Sequence, residues 1–141
     1  MKALAVLAVV AAMSLPAMAL GQDTGPISTA TGVFSAEQAM RGEALFRRSC
    51  AKCHGNDLIA TDKEASNLTG GAFVANWIGQ NLRDRYEIIR YGMPVNEPDS
   101  LPPDEYLDIM AYILSFNKVP AGAMELVLDE DLLARIVVEK P

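Results

Sequence analysis

The run Cys50-Ala51-Lys52-Cys53-His54 places both cysteines and the only histidine of a 141-residue chain within five positions. A C-x-x-C-H run is the attachment pattern of a c-type haem. Two thiols three positions apart reach the vinyl groups along one side of a porphyrin, and the adjacent imidazole can swing under the iron. Everything else in the chain is then read as the wrapping of that group. Aromatic residues make up only 6% of the chain, so the porphyrin would also add apolar core that the side chains do not supply.

Two other uses of a C-x-x-C pair stay open on the residues alone but fit less well. A structural zinc site takes four Cys or His ligands, and beyond Cys50, Cys53 and His54 the chain has no further thiol or imidazole; only a carboxylate or dimerisation could complete the set. A thioredoxin-like thiol pair belongs in a βαβ pattern with a helix following the cysteines. Here the helical pattern precedes them, and Gly55-Asn56-Asp57 follows.

Residues 1–19 read as a cleavable secretory leader: Lys2 gives a positive start, Ala3 to Leu15 is apolar, and Ala17-Met18-Ala19 is a small-residue cleavage site. An uncleaved anchor is the alternative, but the apolar run falls short of the ~20 residues a spanning helix needs. The expectation is export to the periplasm with no stable membrane insertion, a location that suits covalent haem. Loss of Lys2 leaves 11 Lys plus Arg against 18 Asp plus Glu, a net charge of −7. That balance argues against nucleic acid or an anionic membrane as partner, and for encounters that depend on charge and salt.

The mature chain, about 120 residues, is the size of one domain. Residues 20–34, rich in Gly, Thr and Ser, are expected to form a flexible leader. Ser35-Ala36-Glu37-Gln38 is a capping-box pattern that opens a helix reaching about Cys50, with Ala39, Gly42, Leu45 and Phe46 on one side. Asn56 to Gly71 is polar and aperiodic, hence a loop. Phe73 to Gly79 and Asn81 to Tyr91 suggest two short helices, with Ile88 and Ile89 buried in the second. Pro98, Pro102 and Pro103 delay the next helix, which runs from about Pro103 to Phe116 and is apolar over more than half its circumference. Only Ile136 to Val138 gives a weak β signal, and 118–141 reads as an extension packed on a domain of residues 35–117. The expected class is all-α with long loops.

A single histidine excludes two histidine ligands from this chain, so the sixth iron ligand is sought among Met40, Met93, Met110 and Met124. Met93 alone stands in a loop between glycine and proline, free to point sideways. Met40 and Met110 fall inside helices, where core packing is the simpler role, and Met124 lies in the tail.

These residues together resemble class I cytochrome c across Ser35 to Asn117: a first helix with Gly42 and Phe46, Cys50-Ala51-Lys52-Cys53-His54-Gly55, Asn67-Leu68-x-Gly70, Tyr91-Gly92-Met93-Pro94, and a last helix with Ala111-Tyr112-Ile113. The resemblance implies three to five helices wrapped around one haem c bound through Cys50 and Cys53. His54 and Met93 would be its iron ligands, with Leu68 against the cofactor and Trp77 facing a propionate. It also implies a close crossing at Gly42, with Phe46 and Tyr112 packed there. Ser66 stands where many relatives carry a proline whose carbonyl accepts the histidine Nδ1–H. Arg83, Arg85 and Arg90 are further propionate candidates, against the simpler reading of a solvated helix face, and Arg47, Arg48 and Lys52 could form a docking rim.

A closed His/Met pair suits one-electron transfer across a small transient contact, under ~1,200 Å², and not substrate chemistry. Residues 119–138 resemble the tail of cytochromes associated with quinoprotein (pyrroloquinoline quinone) dehydrogenases, and Phe73-x-x-x-Trp77 and Tyr106-Leu107-Asp108 fit that subgroup too. The implied role is a periplasmic carrier between such a dehydrogenase and an oxidase or another cytochrome. The alternative is a haem enzyme or sensor with an open sixth position, but the chain offers no second histidine as distal acid or base.

Overall fold

The computed structural model describes residues 24–141, and the expected secretory leader, residues 1–19, lies outside them. Helix α1 (Ala36–Ser49) starts where Ser35 Oγ accepts the Gln38 N–H at 3.0 Å, and it carries Glu37 in its first turn and Arg47 and Arg48 in its last. Each charge opposes the helix macrodipole favourably. The inward stripe is Gln38, Ala39, Gly42 and Phe46. A single turn, α2 (Ala51–His54), follows, and after a long loop come α3 (Gly70–Asn76) and α4 (Leu82–Gly92), the latter capped by Asn81 Oδ1 on the Asp84 N–H at 2.9 Å.

Helix α5 (Pro103–Phe116) begins on Pro102 and Pro103, a placement that sacrifices no intrahelical bond, and buries eight residues from Tyr106 to Leu114. It is the core of the molecule. Helix α1 packs across it at Gly42, where an added Cβ would lie 1.8 Å from the Asp108 carbonyl oxygen. Beside the crossing the Phe46 and Tyr112 rings stand 5.3 Å apart. The described residues thus form an all-α fold of six helices, one more than the upper expectation because the tail contributes α6 (Glu130–Arg135).

Residues 24–34 depart from the expectation of a flexible leader. Strand β1 (Ile27–Ser28) pairs in parallel with β2 (Ile136–Val137), and Thr29, Val33 and Phe34 are buried. A two-residue strand has no alternation to read, and its partner lies at the other end of the chain. Two further expectations are corrected. Ile88 is exposed, the buried side of α4 being formed by Leu82 and Tyr86 with Ile89 partly covered, and Met40 is exposed on α1.

The tail is strapped to the rest by polar contacts. Gln38 does not complete a capping box. Its amide, almost fully buried, donates to the Leu126 carbonyl at 3.0 Å and accepts the Leu126 N–H at 2.8 Å. Arg41 bridges Asp108 on α5 and Glu125 on the tail, and its guanidinium holds the Glu125 carboxyl below the ordinary range. Farther on, Val138 exchanges backbone bonds with Gly79 and Gln80 at the α3–α4 turn. Gln38→Ala leaves both Leu126 backbone groups buried without partners, so we expect a loss of about 2–3 kcal/mol. Urea unfolding of the holoprotein measures it, and a shift below about 0.5 kcal/mol would contradict the strap.

Candidate functional site

The C-x-x-C-H run occupies one helical turn. The Cys50 N–H closes α1 on the Phe46 carbonyl at 2.8 Å, and the Cys50 carbonyl accepts the N–H of Cys53 at 3.2 Å and of His54 at 3.0 Å. Cys50 and Cys53 therefore project from the same side, the first half-buried and the second exposed, both free thiols. Burial, with a smaller contribution from Cys53, pushes the Cys50 thiol up to about 11. A redox-exchange pair needs a lowered thiol pKa, so this environment works against that alternative.

Gly55 turns the chain back at once, with φ +73° and room for no Cβ, since one would fall 2.1 Å from the Ile59 carbonyl oxygen. The loop that follows is tied to the turn it leaves. Thr61 and Asp62 donate their N–H groups to the Cys53 carbonyl at 2.9 and 3.2 Å, and Asn67 Oδ1 accepts the Ala60 N–H at 2.8 Å. Leu58, fully buried, accepts the Leu68 N–H at 2.9 Å. These ties bring the Ser66 carbonyl to 2.8 Å from His54 Nδ1. A carbonyl only accepts, so Nδ1 carries a proton, which in the neutral ring leaves the lone pair on Nε2. The ring is buried, with Phe46 6.5 Å away. The missing proline changes nothing here, because the acceptor is backbone.

Met93 caps the C-terminus of α4, half-buried, its N–H on the Ile89 carbonyl at 2.9 Å. Its carbonyl accepts from the Tyr106 hydroxyl at 3.3 Å. Trp77 is buried and stacks on Phe73 at 5.5 Å. Leu68 is partly buried, its carbonyl accepting from the Asn117 amide at 2.9 Å, which links the loop to the end of α5. Among the arginines, Arg90 pairs with Asp99 and Arg83 lies near Asp84 and Glu87, whereas the Arg85 Nε is buried with no hydrogen-bond partner. Arg47 and Arg48 are engaged by Glu43 and Glu105, which reduces the proposed rim to Lys52 as its unengaged charge among the three. In the sequence Tyr106 stands out only as part of the apolar last helix and of the Tyr106-Leu107-Asp108 resemblance, and its link to Met93 is not among those readings; a buried tyrosine's need for a hydroxyl partner is the signal that points to it.

Residues 37–113, more than half of the chain, match the family described as cytochrome c oxidase, cbb3-type, subunit III. The chain belongs to the cytochrome c family. A cytochrome c domain is an electron carrier and implies haem c, and the donor set suits that group: two free thiols on one turn and an imidazole held at Nδ1 by a backbone carbonyl, with Nε2 left to bind a metal. Among solved structures, the sulfane dehydrogenase SoxCD from Paracoccus pantotrophus is similar, with a TM-score of 0.54 and 23% identity over 91% of this chain and 66% of that one. At that identity the likeness supports the cytochrome c fold, and this cytochrome spans about two thirds of the matched chain. No curated protein matches it. Among the described residues no group of three or more His, Cys, Asp or Glu is placed to hold a metal ion. No described helix is long and apolar enough to cross a membrane.

Proposed function

We propose that this cytochrome is a periplasmic one-electron carrier. Cys50 and Cys53 would attach its haem c, and His54 and Met93 would be its iron ligands. The bound haem supplies the reversible one-electron couple. His54 contributes a fixed, neutral imidazole. The observation that carries the reading is the 2.8 Å contact between His54 Nδ1 and the Ser66 carbonyl, which sets the tautomer of the neutral ring and its plane. Met93 supplies a thioether, which favours the reduced state relative to a second nitrogen ligand. Arg85, with its unsatisfied Nε, and the buried Trp77 are the residues proposed to face the propionates.

The proposed donor is a periplasmic dehydrogenase, and the acceptor an oxidase or another cytochrome. The tail's similarity to quinoprotein-associated cytochromes supports a dehydrogenase donor, and the fold neighbour, itself a dehydrogenase, is in keeping with it. The reading predicts sharp reduced bands, a methionine-to-iron charge-transfer band in the ferric form and no added-ligand binding at low concentration. A high-spin spectrum that takes up ligands freely would favour the enzyme or sensor alternative, and absence of a Soret band the thiol protein. Stopped-flow reduction by quinoprotein and by sulfur-compound dehydrogenases then ranks the donors.

A further inference from the structure

The geometry points to Tyr106 as the positioning residue that keeps the Met93 loop shut. The inference rests on Met93 as the sixth ligand. Tyr106 sits in the first turn of α5, 1% exposed, its ring edge-on to Tyr86 at 6.5 Å. Its hydroxyl has one proton to give and lone pairs to offer, and both are used on the same loop. It donates to the Met93 carbonyl at 3.3 Å and accepts the Leu101 N–H at 3.3 Å, so one oxygen joins the first residue of the loop to its end.

The rest of the loop is held from α4. Asp99 returns to Arg90 through both its backbone N–H, at 2.8 Å, and its carboxylate, and Glu97 donates to the Pro94 carbonyl at 2.9 Å. Met93 is therefore gripped at its N–H by α4 and at its carbonyl by α5. Removing the second grip leaves the first, so the loop can swing outward about the end of α4 without unfolding the helices. The thioether would then leave the iron a larger fraction of the time, and an external ligand could enter. Tyr86 supplies the internal comparison. It is equally a buried tyrosine, yet its hydroxyl donates to the Pro103 carbonyl at 3.4 Å and accepts from Arg90, with no hydrogen bond to Met93.

The test is imidazole binding to the ferric holoprotein, followed by loss of the methionine-to-iron band, in the parent, Tyr106→Phe and Tyr86→Phe proteins. Tyr106→Phe keeps the ring and deletes both bonds, so its affinity for imidazole should rise about tenfold, the scale of one to two weak hydrogen bonds. The exchange protection of the Leu101 amide should fall in the same variant. Tyr86→Phe should bind imidazole within about twofold of the parent even if its melting temperature falls as far. Parent-like affinity in Tyr106→Phe, or an equal rise in Tyr86→Phe, overturns the assignment. Should Tyr106→Phe yield no holoprotein, Leu101 amide exchange in the parent decides: protection well above that of the exposed loop amides supports the staple, and none overturns it. A Met93→Ala protein that retains the band shows instead that the ligand assignment beneath it is wrong, so the two failures are distinct.

Discussion

Met93→Ala should give a ferric protein without the methionine-to-iron band and with a reduction potential lower by roughly 0.2 V, a quarter of the ~0.8 V that axial ligands span. Among the described residues no other methionine is placed to substitute. Met110 is fully buried in α5, Met40 is exposed on α1, and Met124 is exposed on the tail. The sole histidine already has its Nδ1 engaged by Ser66, which aims the Nε2 lone pair at one position only. The vacated side of the iron would then accept water or imidazole, and the protein would move toward the spectrum expected of the open-site alternative. Potentiometric titration and the near-infrared spectrum decide. Retention of the band would return the choice to the remaining three methionines and remove the basis for the loop staple.

Parts of this fold that depend on local chemistry were legible in the sequence. The hydroxyl at Ser35, the prolines at 102 and 103 and the unbroken apolar run of α5 place helix ends to within about a residue, because capping and proline geometry act over a single turn. Features set by distant segments were not. Gln38 looked like the far half of a capping box until Leu126 came within reach of its amide, a contact between opposite ends of the chain. The packing of 24–34 against the tail was hidden for the same reason. Ile88 failed for another: two adjacent isoleucines on a helix point about 100° apart, and α5 and α6, packed on α4, leave the Ile88 side to solvent. At the site, residue identity gave the donors, while the acceptor for His54 depended on a backbone carbonyl that any residue at position 66 could offer. The grip on Met93 depended on which way a core tyrosine turns its hydroxyl.

Gly42→Ala is expected to be among the most destabilising single-methyl additions to this chain, about 3 kcal/mol or more. Its Cβ would meet the Asp108 carbonyl oxygen at 1.8 Å, the Asp108 carbonyl carbon at 2.4 Å and the Tyr112 Cβ at 3.0 Å. Two of these are main-chain atoms inside a buried helix, so no rotamer change relieves the overlap and the helices must separate. Separation is resisted at both ends. Arg41 ties α1 to Asp108, and Phe46 packs on Tyr112 while standing behind His54. A shift of α1 would thus carry the attachment turn with it, since Cys50 closes that helix. Thermal melts followed by both helical signal and Soret absorbance should fall together by about 10 °C or more. Gly71→Ala provides the matched control, because a Cβ there meets nothing within 4 Å, and its change should stay within about 0.5 kcal/mol or be mildly stabilising. Equal behaviour of the two variants would mean that the α1–α5 crossing tolerates a wider separation than the packing at Gly42 requires. A loss confined to Gly42→Ala would tie the stability of the Cys50–His54 turn to the absence of one carbon atom one helical turn before Phe46.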